Sequence, residues 1–301
     1  GSDIHYYTNG RIGSQIIEYP FTIGHECAGV VDEVGRNVAG LEPGDPVAIE
    51  PAVICGQCDQ CHAGRSNTCR KNLFLGCPGQ LEGALSEFLV MPAENCFPLR
   101  PGTSPGLGTL SEPLAIGVYS VKQAAPKPGM SIGIFGLGPI GISILYALKA
   151  RGDFTLYGTD PISERRGYAE AAGADWTGEP SDDLLSPCPA GLDLVFECCG
   201  RQEALDQALE VLKPGGRLSV VGIPATDRIS FSIDRLRRKE ITVINVRRQE
   251  GCVQEALDLI EQSSLAIDSM ITHHFPFAQT DQAFDLVAGY GDGVLKAMIE
   301  F

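Results

Sequence analysis

The sequence predicts an α/β chain: a doubly wound parallel sheet joined to a second, mainly β region. Three observations carry that prediction. Between about Leu114 and Leu265, apolar runs of strand length alternate with amphipathic helical stretches. Residues 1 to about 113 hold short apolar runs broken by Gly and Pro, and the stretch from Ala266 to Phe301 is too short to form its own core. The last stretch is therefore expected to pack on the first, making domains of 1–113 with 266–301 and of 114–265.

In the first region AGVVDEVG, DPVAIEPAV and SEFLVMP read as strands among irregular loops. The second region begins with the strand SIGIFG and a helix over ISILYALKARG. Strand FTLYGTD, helix ISERRGYAEAAGA and strand GLDLVFECCG follow, then a helix over QEALDQALEVLKPGG and the strands RLSVVGI and EITVINV. Strand runs between helices imply a sheet covered on both faces. The last stretch offers one helix, TDQAFDLVAGY, and a closing strand, VLKAMIEF.

The 301 residues are 44% hydrophobic and 20% charged, a balance that suits a globular chain with two cores and excludes a disordered or fibrous one. The formal net charge of −15 disfavours nucleic acid and anionic membranes as partners. No run is long enough for a membrane helix, and the start GSDIHYYTNG lacks the profile of a signal peptide. A cytoplasmic location is expected.

Eleven cysteines, an odd number, argue against a complete disulfide framework. Seven are scattered (Cys27, Cys77, Cys96, Cys188, Cys198, Cys199 and Cys252) and read as small apolar core residues. The other four, Cys55, Cys58, Cys61 and Cys69, form C-x2-C-x2-C-x7-C. Four thiolates on one loop, 55–69, match a closed tetrahedral zinc site that stabilises the fold. An iron–sulfur cluster is the rival reading, but its C-x3-C-P continuation is missing.

In GIFGLGPIG, Gly136, Gly138 and Gly141 take G-x-G-x-x-G spacing between a strand and a helix. The first allows the turn, the second lets backbone approach a pyrophosphate and the third lets helix and strand pack, so a Rossmann dinucleotide site is predicted. Asp160 ends the next strand, where a carboxylate accepts ribose hydroxyls and repels a 2′-phosphate. That favours NAD, although Arg165 and Arg166 could accommodate the phosphate of NADP.

GHE places His25 and Glu26 before CAGVV, and Glu112 lies in SEPLA. Together with GSDIHYY, CGQCDQC, GLGPIG, KPGGRLSVVG and THHFP, these motifs resemble the zinc-dependent medium-chain dehydrogenase/reductase family, in its sorbitol (L-iditol 2-) dehydrogenase-like branch. The resemblance covers essentially the whole chain. It implies that the first domain is a GroES-like catalytic domain, N-terminally truncated and discontinuous, beside a Rossmann NAD-binding domain. It also implies a catalytic zinc held by His25 and Glu112, with Glu26 a close or exchangeable ligand and a cysteine immediately before Gly1. Ser2 and His5 would pass the substrate proton to solvent, and Tyr6 would line the substrate pocket. Ile140, Arg165, Val221, Gly222, Ile223, Val246, Arg247 and Arg248 would contact the cofactor. Where the branch reads F-R-Y this chain has VRRQ, with Arg248 in the ungapped register and so also facing substrate.

The implied activity is reversible oxidation of a secondary alcohol on a polyol or sugar alcohol, with zinc as Lewis acid and NAD taking the hydride. Threonine dehydrogenase, or another secondary-alcohol dehydrogenase of the same family, is the alternative. A non-catalytic zinc- and dinucleotide-binding protein is the alternative of another class. The resemblance implies a homotetramer, with a dimer as alternative.

Overall fold

A computed structural model describes all of residues 1–301. The chain divides into two compact units, one of Gly1–Ala115 with Glu250–Phe301 and the other of Ile116–Gln249. The return to the first unit comes at 249/250, earlier than the expected 265/266. The reason is a helix the sequence reading did not single out, described below.

The first unit opens with helix α1 (Ser2–Asn9), closed by Gly10 in the left-handed conformation. Its sheet has three short antiparallel strands, β1 (Ala28–Val30), β2 (Pro46–Ile49) and β3 (Cys96–Pro98), in the order β1-β2-β3. β2 is central, and Val47, Ala48 and Ile49 are buried. SEFLVMP, expected as a strand, forms none. No strand runs beside it, the Ser86 hydroxyl bonds locally to the Phe88 carbonyl, and Phe88 and Val90 stay exposed. Helix α2 (Ser111–Ala124) has its first turn in this unit.

The second unit is a six-stranded, all-parallel sheet. Its elements in chain order are β4 (Ser131–Phe135), α3 (Pro139–Lys149), β5 (Thr155–Thr159), α4 (Ser163–Ala171), β6 (Trp176–Gly178), β7 (Leu192–Glu197), α5 (Gln202–Val211), β8 (Leu212–Val220) and β9 (Thr242–Asn245). The sheet order is β6-β5-β4-β7-β8-β9, so the strand order reverses between β4 and β7. In such sheets ligands bind at the carboxyl ends of the strands beside that reversal. The near-continuous apolar runs of β4 and β7 follow from burial on both faces: Ile132, Ile134, Leu194, Val195 and Phe196 are at most 1% exposed. Helix α3 is buried over Gly141–Leu148, which explains why it is apolar all round. The expected helix QEALDQALEVLKPGG stops at Val211, and Leu212 turns extended. Pro214 cannot continue a helix, so LKPGG joins β8, with a register shift beside Leu192/Leu194.

The chain then returns to the first unit. Helix α6 (Val253–Gln262) buries Val253, Ala256 and Leu257, an i, i+3, i+4 stripe, and packs on the short helix Pro105–Gly108; this packing moves the division to residue 250. Strand β10 (His273–Pro276) precedes helix α7 (Thr280–Ala288) and pairs in parallel with β11 (Ala297–Glu300).

Candidate functional site

The His-Glu pair of the first unit is set by backbone packing that only glycine permits. Gly24 has a φ of 103°, and the 83–85 segment bonds the 22–24 segment through Gly83 N–H to Thr22 O at 2.7 Å and Ala84 N–H to Gly24 O at 2.9 Å. A Cβ on Gly76 would lie 2.5 Å from the Gly24 carbonyl, and one on Gly83 would lie 2.2 Å from the Ile23 carbonyl carbon. Held this way, His25 and Glu26 meet Glu112 from the first turn of α2, with one ligand atom from each residue lying within 4.8 Å of the others.

Asp3 of α1 completes the arrangement. Its carboxylate lies 3.3 Å from His25 Nδ1, which leaves Nε2 free to bind a metal, the carboxylate–histidine support usual around metal sites. Burial opposes charge on His25, but Asp3, Glu112 and Glu26 overcome it and raise its pKa to about 9. Burial, aided by Glu26 and Glu50 and opposed by His25, lifts Glu112 to about 7. Glu26 goes the other way: burial would raise its pKa, but Lys296 and His25 lower it. Lys296 at the end of the chain forms an ion pair with Glu26. An imidazole and two carboxylates fit a divalent metal with open positions, and of the three Glu26 is the one already tied to a cation, Lys296. The cysteine expected before Gly1 lies outside the described residues.

The four loop cysteines also converge. Cys58 and Cys61 Sγ lie 3.6 Å apart, Cys58 and Cys69 3.9 Å, and Cys69 and Cys55 3.4 Å. A tetrahedron with Zn–S bonds of about 2.3 Å has edges of about 3.8 Å, so the sulfurs are spaced for zinc. Backbone N–H groups of Cys55 and Lys71 point at Cys69 Sγ. Backbone donors at Arg70 and Cys61 draw the Cys58 thiol down to about 6, while burial and its sulfur neighbours push Cys61 up to about 12. Only a bound cation would draw the protons from all four thiols, because by themselves the crowded sulfurs oppose ionising together.

In the second unit the three fingerprint glycines behave as their spacing requires. Gly136, directly after β4, has a φ of 94°, and a Cβ on Gly141 would lie 2.0 Å from the Gly136 carbonyl oxygen. Gly138 begins α3, and a Cβ there would meet nothing nearer than the Arg165 guanidinium at 3.6 Å, so its backbone is open to a ligand. Asp160 follows β5 and is 3% exposed. One of its oxygens accepts Leu137 N–H at 2.8 Å, the other Ile162 N–H at 2.9 Å, and Arg165 lies 3.9 Å away. This carboxylate therefore braces the glycine turn, and any ribose hydroxyl would share oxygens already in use. Arg166 donates to the Asp160 carbonyl and pairs with Glu179.

Val221, Gly222 and Ile223 follow β8 at the same edge. The first two hang on Glu197, which sequence reasoning missed. This fully buried acid accepts Val221 and Gly222 N–H on its carbonyl and Cys199 and Gly200 N–H on one carboxylate oxygen. An acid closing an apolar strand, LDLVFE, was its only signal. Val246 N–H bonds Val220 O, Arg248 has a φ of 51°, and Ile140 lies in the first turn of α3. Asp3 and Lys296 were also missed, because nothing near them in sequence reveals His25 or Glu26 as partner.

Ser2, His5 and Tyr6 all lie on α1. Burial lowers the His5 pKa, so its imidazole is neutral at neutral pH and able to accept a proton. Tyr6 is buried at 4% exposure. Cys198 and Cys199 are not ordinary core residues as expected: both flank the glycine turn, and Cys199 reaches solvent there while its partial burial and Glu197 push its thiol to about 12.

The descriptions "Alcohol dehydrogenase GroES-like domain" and "Zinc-binding dehydrogenase" match residues 1–101 and 139–262. The chain is 32% identical over 305 residues to a sorbitol dehydrogenase of Bacillus subtilis, covering 99% of this chain and 86% of that protein. It is 34% identical over 312 residues to a probable D-xylulose reductase A of Aspergillus fumigatus, covering 100% and 87%. The crystal structure of L-idonate 5-dehydrogenase from Escherichia coli superposes with a TM-score of 0.93 at 26% identity, covering 100% and 88%. With both sets of metal-ligand candidates and the glycine turn in place, these similarities make the chain a member of the zinc-dependent medium-chain dehydrogenase/reductase family, in its polyol dehydrogenase branch.

Proposed function

We propose that this dehydrogenase oxidises a secondary alcohol of a polyol or sugar alcohol to a ketone, reversibly, with NAD as hydride acceptor. The observation that carries the reading is the convergence of His25, Glu26 and Glu112 with Asp3 behind the imidazole. When bound, zinc supplies Lewis acidity toward the alcohol and NAD supplies the hydride-accepting ring. His25 Nε2 and Glu112 hold the metal, Asp3 fixes the imidazole tautomer, and Lys296 keeps Glu26 in reserve. Ser2 and His5, three residues apart on α1, carry the proton away. Gly136, Gly138 and Gly141 seat the pyrophosphate, and the loop cysteines hold a second, structural zinc. An acid at Asp160 favours NAD over NADP.

Relatives that act on sorbitol and D-xylulose support the polyol class, and Glu112 in SEP favours it over threonine. None of the eleven cysteines is paired in a disulfide, which supports a cytoplasmic location, and the resemblance supports a homotetramer or dimer. No helix is long and apolar enough to cross a membrane. The test is NAD reduction followed by absorbance over sorbitol, xylitol, ribitol, inositol, threonine and 2-butanol. Polyol oxidation abolished by a strong chelator is the expected result. Silence across the panel, with zinc and NAD bound, overturns the reading.

A further inference from the structure

Helix α1 has a second use. Asp3 reaches His25, and Tyr6, three residues on and so on the same face, reaches a group of uncharged polar side chains around Cys77. Tyr6 Oη donates to Gln15 Oε1 at 3.3 Å and lies 3.9 Å from Cys77 Sγ. The Nε2 groups of Gln15 and Gln80 both point at that sulfur, at 2.6 and 3.1 Å. Gln80 Oε1 is buried and has no hydrogen-bond partner. A buried amide oxygen left over is costly unless something donates to it.

The group adjoins the metal-ligand candidates. Gly76, next to Cys77, is packed on the Gly24 carbonyl directly before His25, and the ring of Phe74 lies 5.5 Å from that of His25. Cys77 N–H bonds the Phe74 carbonyl, so one tight turn joins the His25 contact to the amide group. Through that turn the two amides and the phenol are tied to the segment that carries His25, the metal-ligand candidate a substrate would approach. Such groups both donate and accept, as vicinal hydroxyls do, and carry no charge for a carboxylate or phosphate to pair with.

We infer that Gln15 and Gln80, gathered with Tyr6 around Cys77, determine specificity by hydrogen-bonding the hydroxyls of a neutral polyol beyond the reacting carbon. The inference rests on the proposed polyol oxidation and adds the residues that read the rest of the substrate. A purely structural role would tie the Arg11–Ile16 hairpin to the 74–81 loop and would not distinguish one substrate from another.

The test compares Gln15→Leu and Gln80→Leu with the parent on xylitol and on 2-butanol, which has no further hydroxyls. Each variant is expected to raise KM for xylitol about tenfold or more, as for a lost hydrogen bond to a buried partner, and to leave both constants for 2-butanol within about twofold. Calorimetric titration of xylitol into the protein with NADH, which allows no turnover, should show the same weakening. Equal effects on both alcohols, or none on xylitol, overturn the inference. So does a parent preference for an aldonic acid or a polyol phosphate over xylitol. Should the Leu variants fail to fold, Gln80→Glu and Gln15→Asn serve the same comparison. A parent that oxidises and binds no alcohol at all would instead overturn the proposed function.

Discussion

Replacing Asp160 with Ala separates a carboxylate that braces a turn from one that only reads a ribose. The side chain holds two backbone N–H groups, Leu137 at 2.8 Å and Ile162 at 2.9 Å, in a site 3% exposed. Hydrogen bonds to a charged group are worth about 1.5–3 kcal/mol each, so the two together set a loss of about 3–6 kcal/mol, with the lower end expected where water can enter. The second unit runs from 116 to 249, or 249 − 116 + 1 = 134 residues, and for that size 1 kcal/mol moves the melting temperature by about 4 °C. Calorimetric melting should therefore fall by about 12 °C. Asp160→Asn, which keeps one acceptor, should lose about half as much. Titration with NADH and NADPH should show both binding more weakly because the turn loosens, NADPH less so because a negative charge has gone. A melting temperature within about 2 °C of the parent would refute the bracing role, since two buried amides cannot lose their acceptor at so small a cost.

Two further outcomes follow from the metal-ligand candidates. Cys58→Ser should remove one zinc equivalent, read by elemental analysis, and lower the melting temperature more than it lowers the turnover of surviving protein; unchanged zinc content would end the structural-zinc reading. The other concerns protons. His25, raised to about 9, stabilises the metal-free fold in its charged form below pH 6.5, and this contribution is lost as pH rises through 9; Glu112, raised to about 7, stabilises it as the neutral acid below pH 4.5 and ceases to as pH rises through 7. Because the ligands must be deprotonated, zinc uptake at this site should release roughly two protons at pH 6.5 and roughly one at pH 8, and tighten with pH across that range. Release that does not change with pH, measured calorimetrically in buffers of different ionisation enthalpy, would show that these two groups are not the ligands.

Much of the site was legible because its chemistry is local in sequence. The glycine turn, the cysteine loop and GHE each place their functional atoms within one short segment, where residue type and spacing fix what the backbone can do. Strands β4, β7 and β8 were legible for a related reason: burial on both faces demands unbroken apolar runs. SEFLVMP has the composition of a strand but forms none, because a strand also needs a neighbour to bond, which no pattern within the segment guarantees. The stripe of Val253, Ala256 and Leu257 in helix α6 is regular, but which unit it packs on is not written in it.

The sequence by itself determined the two kinds of unit, the dinucleotide fingerprint, the four-thiolate loop and the acidic balance of the chain, because periodicity, spacing and charge are properties of neighbouring residues. The tertiary structure alone decided that Asp3 backs His25, that Lys296 restrains Glu26 across 270 residues, that Glu197 carries two turns and that Gln15 and Gln80 meet at Cys77. Each of these joins segments far apart in the chain. Their hydrogen bonds and ion pairs exist only once the backbone has brought the partners within about 3 Å, a distance that no local pattern encodes.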